Sequence, residues 1–269
     1  MKLINYATIV SLLALGSCQW GNTPTQTDGI LKDTLTYQYQ TLKERAPDCG
    51  NKPDSACTVV TLNYPEFAGK KALNDSIKRN LLTMFMLSEK PDTSLKSMAA
   101  HFIKSYLDAK KDDPRTQMFY TLDSHAKLIA QDSALVALEV GGYTYQGGAH
   151  GGSYTGYINW DIKKDKSVTL SDILVAGYND KLTKIAEGIF RKNEKLSDTA
   201  SLANDYFFKD NKFALNNNFS LTPLGIKFLY NQYEIKPYAA GQTELLVPYG
   251  DIKSLLQPNS VVSQYVKNK

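Results

Sequence analysis

Apolar and polar positions alternate most regularly between residues 135 and 162. Val136, Leu138 and Val140 alternate with Ala137 and Glu139, and Tyr143 and Tyr145 continue the period of two. Further on, Tyr154, Gly156, Ile158, Trp160 and Ile162 share one face, while Thr155, Tyr157, Asn159 and Asp161 share the other. The pattern predicts a β-hairpin with one buried face. Its connection, residues 146–152, contains Gly147, Gly148, Gly151 and Gly152, with His150 as the large side chain beside them. Glycines there supply positive φ and let a backbone or a ligand come close.

On either side of the hairpin the period changes. Tyr37 and Tyr39, then residues 59–63, read as opening strands, and short strands are expected at 119–122 and 127–130. Leu73, Ile77, Leu81 and Phe85 recur every four residues, which predicts an amphipathic helix that ends before Pro91. A second stripe, Leu95, Met98, Phe102, Tyr106 and Leu107, predicts another helix with Asp92 or Thr93 as N-cap. Leu182, Ile185, Ala186, Ile189 and Phe190 predict a third. Strands return with Phe219 and Leu221, with Ile226, Phe228 and Tyr230 after the turn at Pro223, and with residues 243–247. Ile252, Leu255 and Leu256 suggest a short closing helix. Helices fall in blocks between blocks of strands, so the expected class is α+β, antiparallel sheets with helices packed on them. The change of composition near residues 163–168 divides the chain into two sequential halves, 35–162 and 163–269.

The N-terminus stands apart from this pattern. Lys2, a short apolar run, and then Leu15, Gly16, Ser17 and Cys18 resemble a bacterial lipoprotein signal. On that reading residues 1–17 are removed, Cys18 carries the lipid, and the polar residues 18–34 form a flexible tether. The run is too short to span a bilayer as a helix. With Cys18 assigned to lipid, Cys49 and Cys57 remain as an even pair across turn residues, the pattern of a disulfide in an extracytoplasmic chain. The net charge of +4 is not the footprint of a nucleic-acid binder. Seventeen tyrosines suit contact surfaces as well as sheets.

Catalytic signatures are sparse. The three histidines, His101 on the second helix, His125 read as a loop residue, and His150, make no i, i+2 or i, i+4 pair. Gly152-Ser153-Tyr154-Thr155-Gly156 enters a strand and lacks the GxSxG order of a nucleophile elbow. A phosphate loop would lead into a helix N-terminus, and these glycines do not. No catalytic residue, metal ligand or cofactor is therefore assigned. The candidate site, binding or structural, is Tyr143, Tyr145, Gly147, Gly148, His150, Gly151 and Asn159.

Those residues also carry a resemblance. Tyr143-Thr144-Tyr145-Gln146-Gly147-Gly148-Ala149-His150-Gly151, then Asn159 and Val168 to Leu174, are similar to the extracytoplasmic region of anti-sigma factors of the RsiV type and to the accessory N-terminal region of peptidoglycan deacetylases of the PdaC type. Asn63-Tyr64-Pro65-Glu66-Phe67 and Tyr233 to Gly241, running into Val247-Pro248-Tyr249, fit as well. The first half is the PdaC-like part and the second the RsiV-like part. The resemblance implies an extracytoplasmic α+β module, with lysozyme binding known for the anti-sigma branch. The histidine pattern of the deacetylase domain is missing here, so that activity is not carried over.

The expected function is a non-catalytic binding module on a lipid anchor, facing the periplasm from the outer membrane or exposed on the cell surface. Its ligand would be a lysozyme-like protein or a peptidoglycan glycan, and nucleic acid is not expected. Two alternatives stand beside it: an enzyme acting on peptidoglycan or polysaccharide near His150, and a structural lipoprotein of envelope assembly.

Overall fold

The computed structural model describes residues 35–85 and 90–266. Cys18, the leader and the tether lie outside the described residues. Among the described residues, nine strands form two sheets. The first holds β1 (Tyr37–Arg45), β2 (Val59–Phe67), β3 (Thr121–Gln131), β4 (Leu135–Tyr145), β5 (Gly152–Asp161) and β6 (Lys166–Ser167), in that spatial order. The second holds β7 (Phe219–Leu221), β8 (Gly225–Tyr230) and β9 (Thr243–Pro248). All pairings are antiparallel except β2 with β3. That exception follows from the crossover: two helices lie between β2 and β3, and a connection of that length returns the chain in the same direction.

The crossover helices are α1 (Lys71–Met84) and α2 (Leu95–Asp112). Their spacing of apolar residues buries Leu73, Ile77 and Leu81 from one and Leu95, Met98, Phe102 and Tyr106 from the other. The α1 residues, with Leu95, Met98 and Phe102, meet Val60, Leu62, Leu122, Val136, Leu138, Val140, Ile158 and Trp160 on one face of the first sheet. Each such side chain contributes about 1.5–3 kcal/mol when fully buried. The N-cap of α2 is Ser94 rather than Asp92 or Thr93; its hydroxyl accepts from the Ser97 N–H, and the Ser97 hydroxyl accepts from the Ser94 N–H. This reciprocal pair satisfies two otherwise orphaned donors, which neither upstream residue is placed to do.

The two short strands expected near 119–130 are one continuous β3, with a register shift between Leu128 and Ala130. A bulge absorbs the break in alternation that made the sequence look like two pieces. His125 is thus a strand residue and not a loop residue. Cys49 and Cys57 are joined in a disulfide, both buried, and Tyr106 of α2 packs into the same small cluster.

A second core gathers α3 (Leu170–Ile173), α4 (Asn179–Asn193) and the second sheet. Leu182, Ala186 and Phe190 of α4 pack with Phe228, Tyr230, Leu245 and Val247. A 3-10 turn at Lys253–Leu255 takes the place of the expected closing helix, and α5 (Ser263–Val266) follows it. The two cores meet across the hairpin: Leu135 of β4 belongs to the second.

The hairpin departs from the expected single buried face. From Ile158 to Asp161 every residue of β5 is buried, because helices cover one face and the second sheet covers the other. Asn159 makes that second contact with a hydrogen-bonded amide. Its Nδ2 donates to the Phe219 C=O and its Oδ1 accepts from the Leu221 N–H, both at 2.8 Å.

Candidate functional site

At its other end the hairpin is open. The face that carries Asn159 lower down here presents Tyr143 from β4, Asp123 and His125 from β3, and Ser153 and Thr155 from β5. Gln232 and Gln242, on the segment between β8 and β9, close the opposite wall. Together these residues line a cleft of about 490 Å³.

The register explains the arrangement. Asp123, Tyr143 and Ser153 form one row across the three strands; His125, Gly141 and Thr155 form the next. Gly141 leaves room for the imidazole beside it: a Cβ there would sit 3.2 Å from His125 Nε2 and 3.1 Å from the Tyr154 C=O, a tight fit to which the ring would have to yield by a few tenths of an ångström. The freed space lets His125 Nε2 approach Glu139 Oε1 at 3.3 Å. The far wall is pinned by amides. Asn231 Oδ1 accepts from the Thr155 N–H at 2.8 Å, its Nδ2 donates to the Thr155 C=O at 2.9 Å, and Asn218 Nδ2 donates to the same carbonyl at 2.8 Å. Gln242 Nε2 donates to both Thr155 Oγ1 and Asn231 Oδ1 at 3.1 Å.

Above the cleft the glycine loop meets the segment between β8 and β9. The His150 ring stacks on Tyr238 with centroids 4.5 Å apart and lies 6.3 Å from Tyr233, which is itself 5.4 Å from Tyr238. His150 Nδ1 is 3.0 Å from the Gly151 C=O, an acceptor only, so Nδ1 carries the proton. Nε2 is then free to accept from the Tyr233 hydroxyl at 3.5 Å. His150 and Tyr233 are exposed, so this three-ring group forms a rim and not a core.

The sequence candidates separate by role. Gly147 and Gly148 adopt φ of 91° and 90°, and the Tyr145 hydroxyl donates to the Gly148 C=O at 3.0 Å, so these three residues fix the turn. Gly151 serves differently: a Cβ would fall 2.3 Å from Tyr143 Oη and 2.5 Å from the Thr144 C=O. Its bareness seats Tyr143, which remains 40% exposed toward the cleft. Gly152 already belongs to β5. Asn159 does not join this group. It lies seven residues further along the strand, about 23 Å away at strand rise, buried between the sheets, whereas His150 stacks on Tyr238.

Sequence reasoning missed Asp123, His125, Gln232 and Gln242. The alternation of residues 121–125 and a glycine at 141 inside an otherwise regular strand were the available signals. His101, on α2 as expected, is exposed, with Nδ1 2.6 Å from Asp92 Oδ1. Among the described residues no group of three or more His, Cys, Asp or Glu side chains is placed to hold a metal ion, and no helix is long and apolar enough to cross a membrane. Burial raises the pKa of Tyr154 beside the cleft, and the carboxylate of Glu234 adds to that.

Residues 51–153 match the family model described as deacetylase PdaC, and residues 171–250 match that described as protein of unknown function (DUF3298). The chain is PdaC-like in its first half and DUF3298-like in its second. A relative is the peptidoglycan-N-acetylmuramic acid deacetylase PdaC of Bacillus subtilis (strain 168), 25% identical over 189 residues, which cover 68% of this chain and 39% of that protein. Among solved structures, a DUF3298 family protein of Pseudomonas aeruginosa PAO1 superposes with a TM-score of 0.69 at 25% identity, covering 84% of this chain and 96% of its own. A DUF3298 family member from Bacteroides fragilis NCTC 9343 gives the same TM-score at 24% identity, covering 87% and 98%. These are the matches of a PdaC-like, envelope-associated protein. These matches do not show the resemblance of the second half to anti-sigma factors of the RsiV type.

Proposed function

We propose that this is a lipid-anchored envelope protein that binds a peptidoglycan-type glycan in the cleft between its two sheets without turning it over. The observation that carries the reading is the cleft itself. It joins an exposed ring, Tyr143, to a carboxylate, Asp123, and to the amides Gln232 and Gln242, beneath a rim of His150, Tyr238 and Tyr233. Sugar rings present C–H faces that pack on aromatic rings, and hydroxyl edges that hydrogen-bond to carboxylates and amides, so this mixture of groups matches both sides of a saccharide. The hairpin holds these groups on strands and the Asn231–Thr155 contacts fix the opposite wall, so little order has to be gained on binding. The PdaC-like first half supports a peptidoglycan context.

Calorimetry with soluble peptidoglycan fragments tests this directly. Binding that weakens about tenfold, roughly 1.4 kcal/mol, in Tyr143→Ala and Asp123→Asn at unchanged melting temperature is the expected result. Absence of binding at millimolar fragment overturns it, and release of acetate or of new reducing ends would move the protein to the enzymes. A second reading, capture of a lysozyme-like protein, is favoured by the exposure of Tyr233, at 57%, beside the stacked His150. Lysozyme binding lost in Tyr233→Ala would establish it in place of the glycan. The anchor has its own test: Cys18→Ser should shift the protein to the soluble fraction or leave an unprocessed precursor.

A further inference from the structure

A second cavity, of about 450 Å³, lies beyond the closed end of the cleft along the outer edge of β5. It is lined by Asn80 of α1, by Tyr157, Ile158 and Asn159 of β5, by residues 167–171, and by Tyr178, Asn217 and Phe219. None of these side chains carries a charge at neutral pH. The volume falls within the range of small-molecule sites, about 300–1,000 Å³.

The edge of the strand supplies the specific element. Thr155 turns its N–H and C=O away from β4, where Asn231 takes both. Asn159 likewise turns its C=O outward, to the Val168 N–H at 2.7 Å. By the two-residue period of a strand, the N–H and C=O of Tyr157, midway between them, point to the same open edge. β6 pairs only with Trp160 and Asp161, too far along to reach them. The cavity therefore contains one open rung of a β-ladder, a donor and an acceptor spaced to receive an amide. Around this rung, Asn159 has both amide atoms committed to β7, Thr169 Oγ1 is committed to Asp172 and Asn80 Nδ2 to the Ser76 C=O, which leaves Ser167, Ser171, Asn217 and the Asn80 Oδ1 to meet a ligand. Tyr157 holds its place because Lys227 lies over its ring, 5.2 Å from the centroid.

We propose that this cavity binds an uncharged secondary amide, which adds to the open rung at Tyr157 and rests its apolar flank on Tyr178 and Phe219. Two sources share that chemistry, the N-acetyl group of an amino sugar and the peptide bond of a short chain. The uncharged lining discriminates against the corresponding free amine, because an ammonium group would lose its hydration here without gaining a counter-charge. The site is separate from the cleft under His150 and stands whether or not the cleft takes a glycan.

Titration of the ¹⁵N-labelled protein with N,N′-diacetylchitobiose, with the blocked dipeptide N-acetyl-alanyl-alanine N-methylamide, and with glucosamine distinguishes the sources. One of the two amides should shift the Tyr157 N–H resonance and saturate, while glucosamine leaves it unmoved. Ser171→Trp, which fills the cavity from an exposed position, and Asn217→Ala should each weaken that binding at least tenfold, and Tyr143→Ala should leave it unchanged. Unmoved Tyr157 with both amides, equal binding of glucosamine, or binding that responds to Tyr143→Ala and not to Ser171→Trp would overturn the assignment. The last result would place the amide in the cleft instead. A heteronuclear spectrum of each variant confirms that it remains folded.

Discussion

One hairpin serves two opposed purposes along its length. Near Asn159 both faces of β5 are covered and an amide bonds the two sheets together; near His150 the same strands end in exposed rings around an open cleft. The difference lies in what each end packs against. The second sheet crosses the hairpin at β7 and leaves the other end to the segment between β8 and β9, which touches it through Asn231, Gln242 and the His150–Tyr238 stack. A rigid closed end gives the open end its precision. The cleft is built on strands whose register is set where they are buried.

The contrast can be broken from either side. Asn159→Ala should have the largest effect. It strands the buried Phe219 C=O and Leu221 N–H, and a loss of about 2–4 kcal/mol in urea unfolding is expected. A loss below ~1 kcal/mol would mean that the two sheets are not held together through this amide. Gly151→Ala should follow. Its methyl group collides with Tyr143 Oη and the Thr144 carbonyl, so about 1–3 kcal/mol of strain is expected, together with a displaced Tyr143 visible in near-ultraviolet circular dichroism. Gly152→Ala, with open space around it, is the matched control.

A smaller effect belongs to Asp172, at the start of α3 beside the closed end. Burial alone would raise its pKa, but hydrogen bonds from Lys166, 2.5 Å away, and from the Thr169 N–H and hydroxyl outweigh this and bring it from 3.8 to about 2. A folded-state value below the unfolded one means that the ionised group stabilises the fold above pH 3.8. That contribution is lost as the pH falls from 3.8 toward about 2. After allowance for screening at the half-exposed Lys166, the amount is on the order of 1–2 kcal/mol. Asp172→Asn should therefore lower stability at pH 7 and flatten its slope in that acid window. Parallel acid profiles of the two proteins would refute the assignment.

His150→Ala should cost least in stability, under about 0.5 kcal/mol, because the ring is exposed and leaves no buried group unpaired. Its effect belongs on ligand binding, where loss of the stacked rim should weaken affinity by about 1 kcal/mol. A variant that instead melts several degrees lower would make the rim part of the core and erase the contrast between the two ends.

Much of the fold was legible in the chain. The helical stripes of α1, α2 and α4 appear in sequence because a helix must turn the same face to its core every three to four residues. The strands of both sheets appear by their period of two, except the two-residue β6 and the unbroken run of β3, and the Cys49–Cys57 pairing appears by its turn-rich separation. The glycine loop was found as well, although its glycines divide into two at positive φ and one, Gly151, kept bare by a tyrosine. Sequence alternation also pointed to Tyr143. What it could not provide was the second wall of the site. Gln232 and Gln242 reach the cleft from the segment between β8 and β9, roughly 80 residues further along the chain than the hairpin, and nothing local marks them.

The sequence by itself determined the elements, their apolar faces and the conformational freedom of the turn, since these depend on neighbours within a few residues. The tertiary structure decided that β2 and β3 run parallel, that Asn159 joins two sheets instead of lining the loop, and that His150 rests on Tyr238. Each of those outcomes is a contact between residues far apart in the chain, chosen by the burial of two cores at once, and no local pattern encodes which distant partner completes it.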